Sequence, residues 1–375
     1  MFKDEWKATC YLIGITIGAG VIALPYVFSQ AGFLLGTVEL IIAWAIVLLL
    51  TLALGEIVLR TKENHEVSGL IELYLGKKAK NFMAGITIIY IYGAILAYGL
   101  GLGEAIHGIF GIDKFVSSIV LFLLLSAIVY FGLKSVTKAE VILTPFIFFI
   151  IFAIFLFSYN HISVQNYTMP NISNILLPLG PFFFALMGFW CVPDMKRILR
   201  NKRSLRKTII LGVTIPAIAY LLFAAVVVGV TGDKTTEVFS VGLAEYVGQG
   251  VGKLLSAFTF FSIATSFIGL GFSLKEMFCE DYHCTRNVSW LAAFLIPFIL
   301  LFVVRNGFAT VISLTGAYAT VFVAGMTLAM FYKAKKKGRR KPEFILQLPK
   351  SIAVLIVLFT IIVAVYTMWK YAFTI

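Results

Sequence analysis

Three short runs in this sequence carry residue types that do more than fill lipid. The first is Gly14-Ile-Thr-Ile-Gly-Ala-Gly-Val-Ile-Ala-Leu-Pro25, with Gly18-Ala19-Gly20 in the middle of an apolar stretch. Glycine costs about 1 kcal/mol more than alanine in a helix interior. Small residues placed there either let another helix approach closely or unwind the helix. An unwound stretch turns free backbone N–H groups toward a cavity, where they hold an anion. The second run breaks a later segment in the same way, with Pro178, Gly180, Pro181, Gly188 and Pro193 within sixteen residues. The third is Thr265-Ser266, two adjacent hydroxyls inside another apolar segment. Each either bonds the carbonyl four residues back or offers oxygen to a hard cation such as Na+.

Carboxylates are the next candidates. Glu39, Glu56 and Glu104 lie inside or at the ends of apolar segments, where an ionisable group is expensive and functional by default. Glu56 and Glu104 are the possible proton carriers; Glu56 can instead pair with Arg60 at i+4. Tyr90, Tyr92, Tyr98 and Phe182 to Phe184 pack or face lipid, with one or two closing over a ligand. Cys279-Glu-Asp-Tyr-His-Cys284 offers three good ligands where structural zinc takes about four, so no metal centre or cofactor is expected there. The four histidines (His65, His107, His161, His283) fall in loops or at segment ends, which leaves a membrane enzyme without a general base over a cavity. A channel needs a ring of charge or a re-entrant filter, and the segment centres hold almost no charge.

The elements that must position these residues follow from composition. Of 375 residues 60% are apolar and 13% charged, with mean hydropathy +0.97; a soluble chain carries about 25% charged residues. This is an all-α polytopic membrane protein. A helix needs about 20 apolar residues to cross the hydrocarbon core, and runs of that kind fall near 8–30, 33–58, 81–110, 115–132, 139–159, 175–193, 208–230, 251–275, 288–304, 308–332 and 351–373. With a cytoplasmic N-terminus, 26 of the 31 Lys and Arg residues lie on the inside. That bias predicts N-in and C-out topology in the cell membrane. It also accounts for the net charge of +13 without nucleic acid as a partner. Asp4 and Glu5 near the start argue against a cleavable signal. Four cysteines are too few for a disulfide framework.

The two interrupted segments are the first and the sixth. Five apart is the spacing of an inverted 5+5 repeat, whose broken helices mark a transporter's central site. The chain therefore reads as one transporter domain over 1–375. The first repeat covers about 8–159, the second about 175–332, and an extra span 351–373.

Gly14 through Pro25 is similar to the first-helix signature of the amino acid permeases in the amino acid–polyamine–organocation superfamily. Ala97-Tyr-Gly-Leu-Gly-Leu-Gly-Glu104 and Ala264-Thr-Ser-Phe-Ile-Gly269 resemble the tyrosine and tryptophan permeases. The eleven-span, N-in layout is also that of this hydroxy- and aromatic amino acid permease group. One stretch departs: where the aromatic permeases usually carry histidine after Gly-Phe, this chain has Trp190. Phe184 through Arg203 reads more like the general amino acid permeases, which often place an acidic residue there.

The resemblance implies the LeuT-type fold and a secondary active, ion-coupled importer working by alternating access. Another organic-solute or cation transporter is the alternative. The expected substrate is a neutral, large or aromatic amino acid. Its carboxylate would meet the backbone around Gly18, Ala19 and Gly20. Thr16, Tyr98, Phe184, Ala185, Met187 and Gly188 complete the site, with Phe184 at the place of a gating aromatic. Sodium-coupled members imply Gly14, Ile17 and Ser262 as oxygen donors beside Thr265 and Ser266. Some proton-coupled relatives put a span-five lysine there instead; alignment places Ile147 or Phe146 at that position. The expected coupling ion is Na+, with H+ as the alternative because the aromatic permeases are generally proton symporters.

Overall fold

A computed structural model describes the chain apart from residues 1, 19, 168–169, 236–242, 244–245, 304–307 and 374–375. The described residues form helices and turns, with no strand among them. That is the expected solution where backbone groups have no water to bond and must satisfy one another within a segment.

The helices are α1 (Phe2–Thr16), α2 (Gly20–Ala31), α3 (Phe33–Arg60), α4 (Val67–Leu75), α5 (Lys77–Phe110), α6 (Lys114–Tyr130) and α7 (Leu133–Ser158). Then come α8 (Leu179–Leu186), α9 (Val192–Ile198), α10 (Leu205–Thr231), α11 (Gln249–Glu276), α12 (Arg286–Leu300), α13 (Phe308–Lys337) and α14 (Lys350–Phe373). Seven of them, α3, α5, α7, α10, α11, α13 and α14, are long and apolar enough to cross a membrane. α1 and α2 meet the same length and apolarity only as a pair, bent by 59° at the break between them. α6 and α12 are shorter apolar helices of 17 and 15 residues.

The sixth expected segment is not one helix. It divides into α8, a 3-10 turn at Phe189–Cys191, and α9. Pro193 opens α9, where a missing amide proton costs nothing. The fifth segment begins six residues earlier than its apolar run suggested. Gly132, at φ 88°, turns the chain sharply and α7 starts at Leu133.

The bundle has an N-terminal face and an opposite face. On the first, Asp4 pairs with Arg200 at 3.5 Å and Ser204 donates to Glu5 at 2.6 Å. On the other, Lys370 donates to Asn174 at 3.1 Å and Asn174 to the Gln30 carbonyl at 2.9 Å. The start of α1 and the last turns of α14 therefore meet opposite ends of the α1/α2 pair. α4, which falls between the apolar runs 33–58 and 81–110, packs on α5 and α13 at the N-terminal face. Inside, α11 packs against α5 and α7, while α1 lies between α10 and α7. α14 sits at the periphery against α13, with Leu355 and Val365 facing outward.

Candidate substrate and ion site

The two helix breaks use the same turn. In the first, the Gly18 amide donates back two residues to the Thr16 carbonyl at 3.0 Å. In the second, the Gly188 amide donates to Leu186 at 2.8 Å, around Met187 at φ −79° and ψ 59°. These are the angles of an inverse γ-turn. Each turn ends one half-helix and leaves the first amides of the next without an intrahelical partner. The hydroxyl of Tyr220, on α10, lies 2.6 Å from the Thr16 carbonyl and 2.8 Å from the Ala185 carbonyl. One phenolic proton is shared between both breaks.

The expected substrate residues converge here. A Cβ on Gly20 would stand 2.8 Å from the Ala185 backbone and 3.0 Å from the Phe184 ring, so α2 and α8 meet backbone to backbone. A Cβ on Gly18 would stand 2.8 Å from Ser266 Cβ and 3.2 Å from the Tyr98 hydroxyl. Gly188 packs the same way on Thr16 and Leu12. Thr16 itself donates to the Leu12 carbonyl at 2.7 Å. Met187 is buried beside these residues, and Ala19 lies outside the described residues. The rings of Phe184 and Tyr90 lie tilted 5.7 Å apart, and those of Tyr90 and Trp190 6.2 Å. The position that departed from the aromatic permeases thus extends an aromatic wall.

The oxygens expected for a cation are next to the first break. Gly18 turns back to Thr16, so the Gly14 carbonyl loses its i+4 donor and accepts from Ser266 Oγ at 3.1 Å. Ser266 also lies 2.9 Å from the Ile15 carbonyl. Thr265 Oγ1 bonds its own helix, at Phe261 and Ser262. Ser262 Oγ is buried without a partner. Ile17, at the centre of the turn, closes the last α-helical bond of α1 to Ile13 at 2.8 Å. Freed carbonyls, hydroxyls and an orphaned oxygen are a donor set that fits a hard cation.

The carboxylates singled out from sequence lie elsewhere. Glu56 is buried but pairs with Arg60 at 2.7 Å and accepts from the Leu346 amide at 2.5 Å. It fastens the loop after α13 to α3. Glu104 is 62% exposed and pairs with Lys114 at 2.7 Å. Glu39 accepts from the Leu176 amide at 2.9 Å. None of the three reaches the breaks. At the positions aligned with the lysine, Ile147 is buried and Phe146 points out to stack on Phe261. The carboxylate that does reach the site is Glu140, fully buried against Gly14. Its apolar run starts at 139, which reads as an interface position. The signal that marks it is Gly132, because a helix opening there carries Glu140 two turns inward.

A second cluster closes the N-terminal face. Arg197 stands within 3.2 to 3.7 Å of Glu66, Asp194, Glu276 and Glu280. Asp281 accepts from Ser68 at 2.5 Å and from the Gly69 amide at 2.7 Å, and the Lys80 ammonium donates to its carbonyl at 2.6 Å. Burial, then the neighbouring Asp194, push the Glu66 carboxyl well above its usual range against the pull of Arg197. Between this network and Trp190 a cavity of about 10 Å³ remains, edged by Thr87 and Ser273, room for about one water. The run Cys279 to Cys284 contributes no metal cluster among the described residues.

The sequence profile of the tryptophan/tyrosine permease family matches residues 1–367. The chain belongs to that family. It is a membrane permease, not an enzyme. The permease is 25% identical to tyrosine-specific transport system 1 of Haemophilus influenzae over 363 residues, 89% of each chain. It is 24% identical to glutamine transporter 2 of Aliivibrio fischeri, over 87% of this chain and 88% of that one. Among solved structures, MhsT in complex with L-phenylalanine superposes with a TM-score of 0.71 at 14% identity, covering 96% of the permease and 98% of MhsT. The fold is therefore of the LeuT type, with α1/α2 and α8/α9 as its broken helices.

Proposed function

We propose that this permease is an ion-coupled importer of large neutral amino acids, aromatic ones foremost, working by alternating access. The observation that carries the reading is the convergence under Tyr220 of two helix breaks, each closed by a glycine amide donating two residues back, lined on one side by Tyr90, Phe184 and Trp190. The first-turn amides of α2 other than Val21, which donates to the Gly18 carbonyl at 3.1 Å, are the donors for a substrate carboxylate, and the aromatic wall takes the apolar side chain. Residues 16–20 and 186–192, which form the breaks, hold neither a lysine or arginine for an acidic side chain nor a carboxylate for a cationic one, so both are disfavoured. The named substrates of the relatives, tyrosine and glutamine, and the phenylalanine of MhsT are all neutral. Sodium at Gly14, Ile17, Ser262, Thr265 and Ser266 is the proposed coupled ion. Glu56 and Glu104 already have cation partners away from the breaks. With the basic loops cytoplasmic, the Arg197 network closes the cytoplasmic side.

The test is uptake of a labelled amino acid pool into proteoliposomes. One arm uses a sodium gradient at symmetric pH, the other a pH gradient in sodium-free buffer. Concentrative uptake of aromatic and large aliphatic amino acids in the first arm, with arginine and lysine competing poorly, is the expected result. No concentrative uptake under either gradient sinks the reading.

A further inference from the structure

Glu140 is the one fully buried carboxylate facing α1 whose two oxygens both lack a hydrogen-bond partner among the described residues. No lysine, arginine or histidine pairs with it there. The thiols of Cys10 on α1 and Cys191 in the turn before α9 are close enough to feel its charge. One carboxylate oxygen occupies the place of a Cβ on Gly14, and the carboxyl carbon lies 2.7 Å from that point. Thr144 Oγ1 lies 3.1 Å from the same point and donates to the Cys10 carbonyl at 3.4 Å. Only glycine at position 14 leaves room for this approach.

A desolvated carboxylate without a partner is strongly disfavoured. A sodium ion held by neutral oxygens alone carries its full charge into the same low-dielectric interior, at a comparable cost. Gly14 touches both problems: its Cα side abuts Glu140 and its carbonyl accepts from Ser266. We propose that Glu140 is the anionic centre of the sodium site, neutralising the ion that the α1 and α11 oxygens surround. This rests on the reading of sodium as the coupled ion and adds α7 to it. A cation so held draws α7 onto α1 four residues before the turn at Gly18, so its arrival and departure act directly on the first break.

The experiment measures sodium binding on purified full-length protein in choline buffer, by equilibrium binding of labelled sodium and by sodium-dependent thermal stabilisation. Wild type is expected to bind sodium saturably, with potassium unable to replace it. Glu140→Gln keeps the shape and removes the charge; its sodium affinity should fall by about tenfold or more, while its melting point in sodium-free buffer holds or rises. Glu140→Asp, which keeps the charge on a shorter arm, should fall between. Unaltered sodium affinity in Glu140→Gln overturns the proposal. So does a wild type that binds no sodium and instead takes up a proton from the medium when amino acid is added. A protein that binds sodium through Glu140 but moves no amino acid supports this site and removes the transport reading instead.

Discussion

Tyr220 reaches across 204 positions of sequence to bond the last carbonyl of α1, at Thr16, with its hydroxyl 2.6 Å away. The same hydroxyl lies 2.8 Å from Ala185, at the end of α8, so a single side chain on α10 registers both broken helices. Tyr220→Phe deletes that proton and leaves two buried carbonyls without it, at about 1–3 kcal/mol. Uptake should fall by about tenfold or more while the purified protein keeps a cooperative melt. Wild-type transport by Tyr220→Phe would show that the breaks hold their register unaided.

Gly20 and Gly85 separate close packing from glycine content. A Cβ on Gly20 would stand 2.8 Å from the Ala185 backbone, which cannot yield as a side-chain tip does. Gly20→Ala should lower the melting temperature and Gly20→Val should abolish uptake. Gly85, inside α5, has nothing within 4 Å of its added Cβ; Gly85→Ala should be neutral or stabilise by about 0.5–1 kcal/mol. Equal effects at the two positions, read by thermal melts, would contradict the packing assigned to Gly20.

The paired hydroxyls of α11 should not be equivalent. Ser266 donates across to Gly14 on α1, whereas Thr265 bonds back to its own helix at Phe261 and Ser262. Ser266→Ala is expected to weaken sodium stimulation of uptake more than Thr265→Ala does. The check is the sodium concentration giving half-maximal uptake in each variant. The reverse order would mean that Thr265 turns toward the ion in the working state.

Arg197 is the hub of the closed face. Removing it leaves Glu66 and Asp194 buried without their cation, a loss of about 3–5 kcal/mol for a buried pair broken on one side. Arg197→Gln should therefore favour the state open at the N-terminal face. A cysteine replacing Ser68, which is buried beside Asp281, would then react faster with a membrane-impermeant thiol reagent applied to that face. Unchanged labelling in Arg197→Gln would remove the network from the gate.

What the sequence by itself determined about this permease is what depends on neighbours along the chain. Apolar run length sets where the long helices form, lysine and arginine placement sets their expected direction, and the glycines and prolines at 18–20 and 178–193 set where helices stop. Each of these is decided within a turn or two of backbone. What only the tertiary structure decided is which face of each helix meets which other. Glu140 stands one residue into the apolar run from 139, and it is the opening of α7 at Leu133 that turns it onto Gly14. Glu56 and Glu104 carried the same residue type and stand at the rim with cations. Tyr220 and Arg197 carried no local signal at all. Their partners lie on other helices, as far as 204 positions away for Tyr220, and a buried polar group is defined by those partners rather than by its place in the chain.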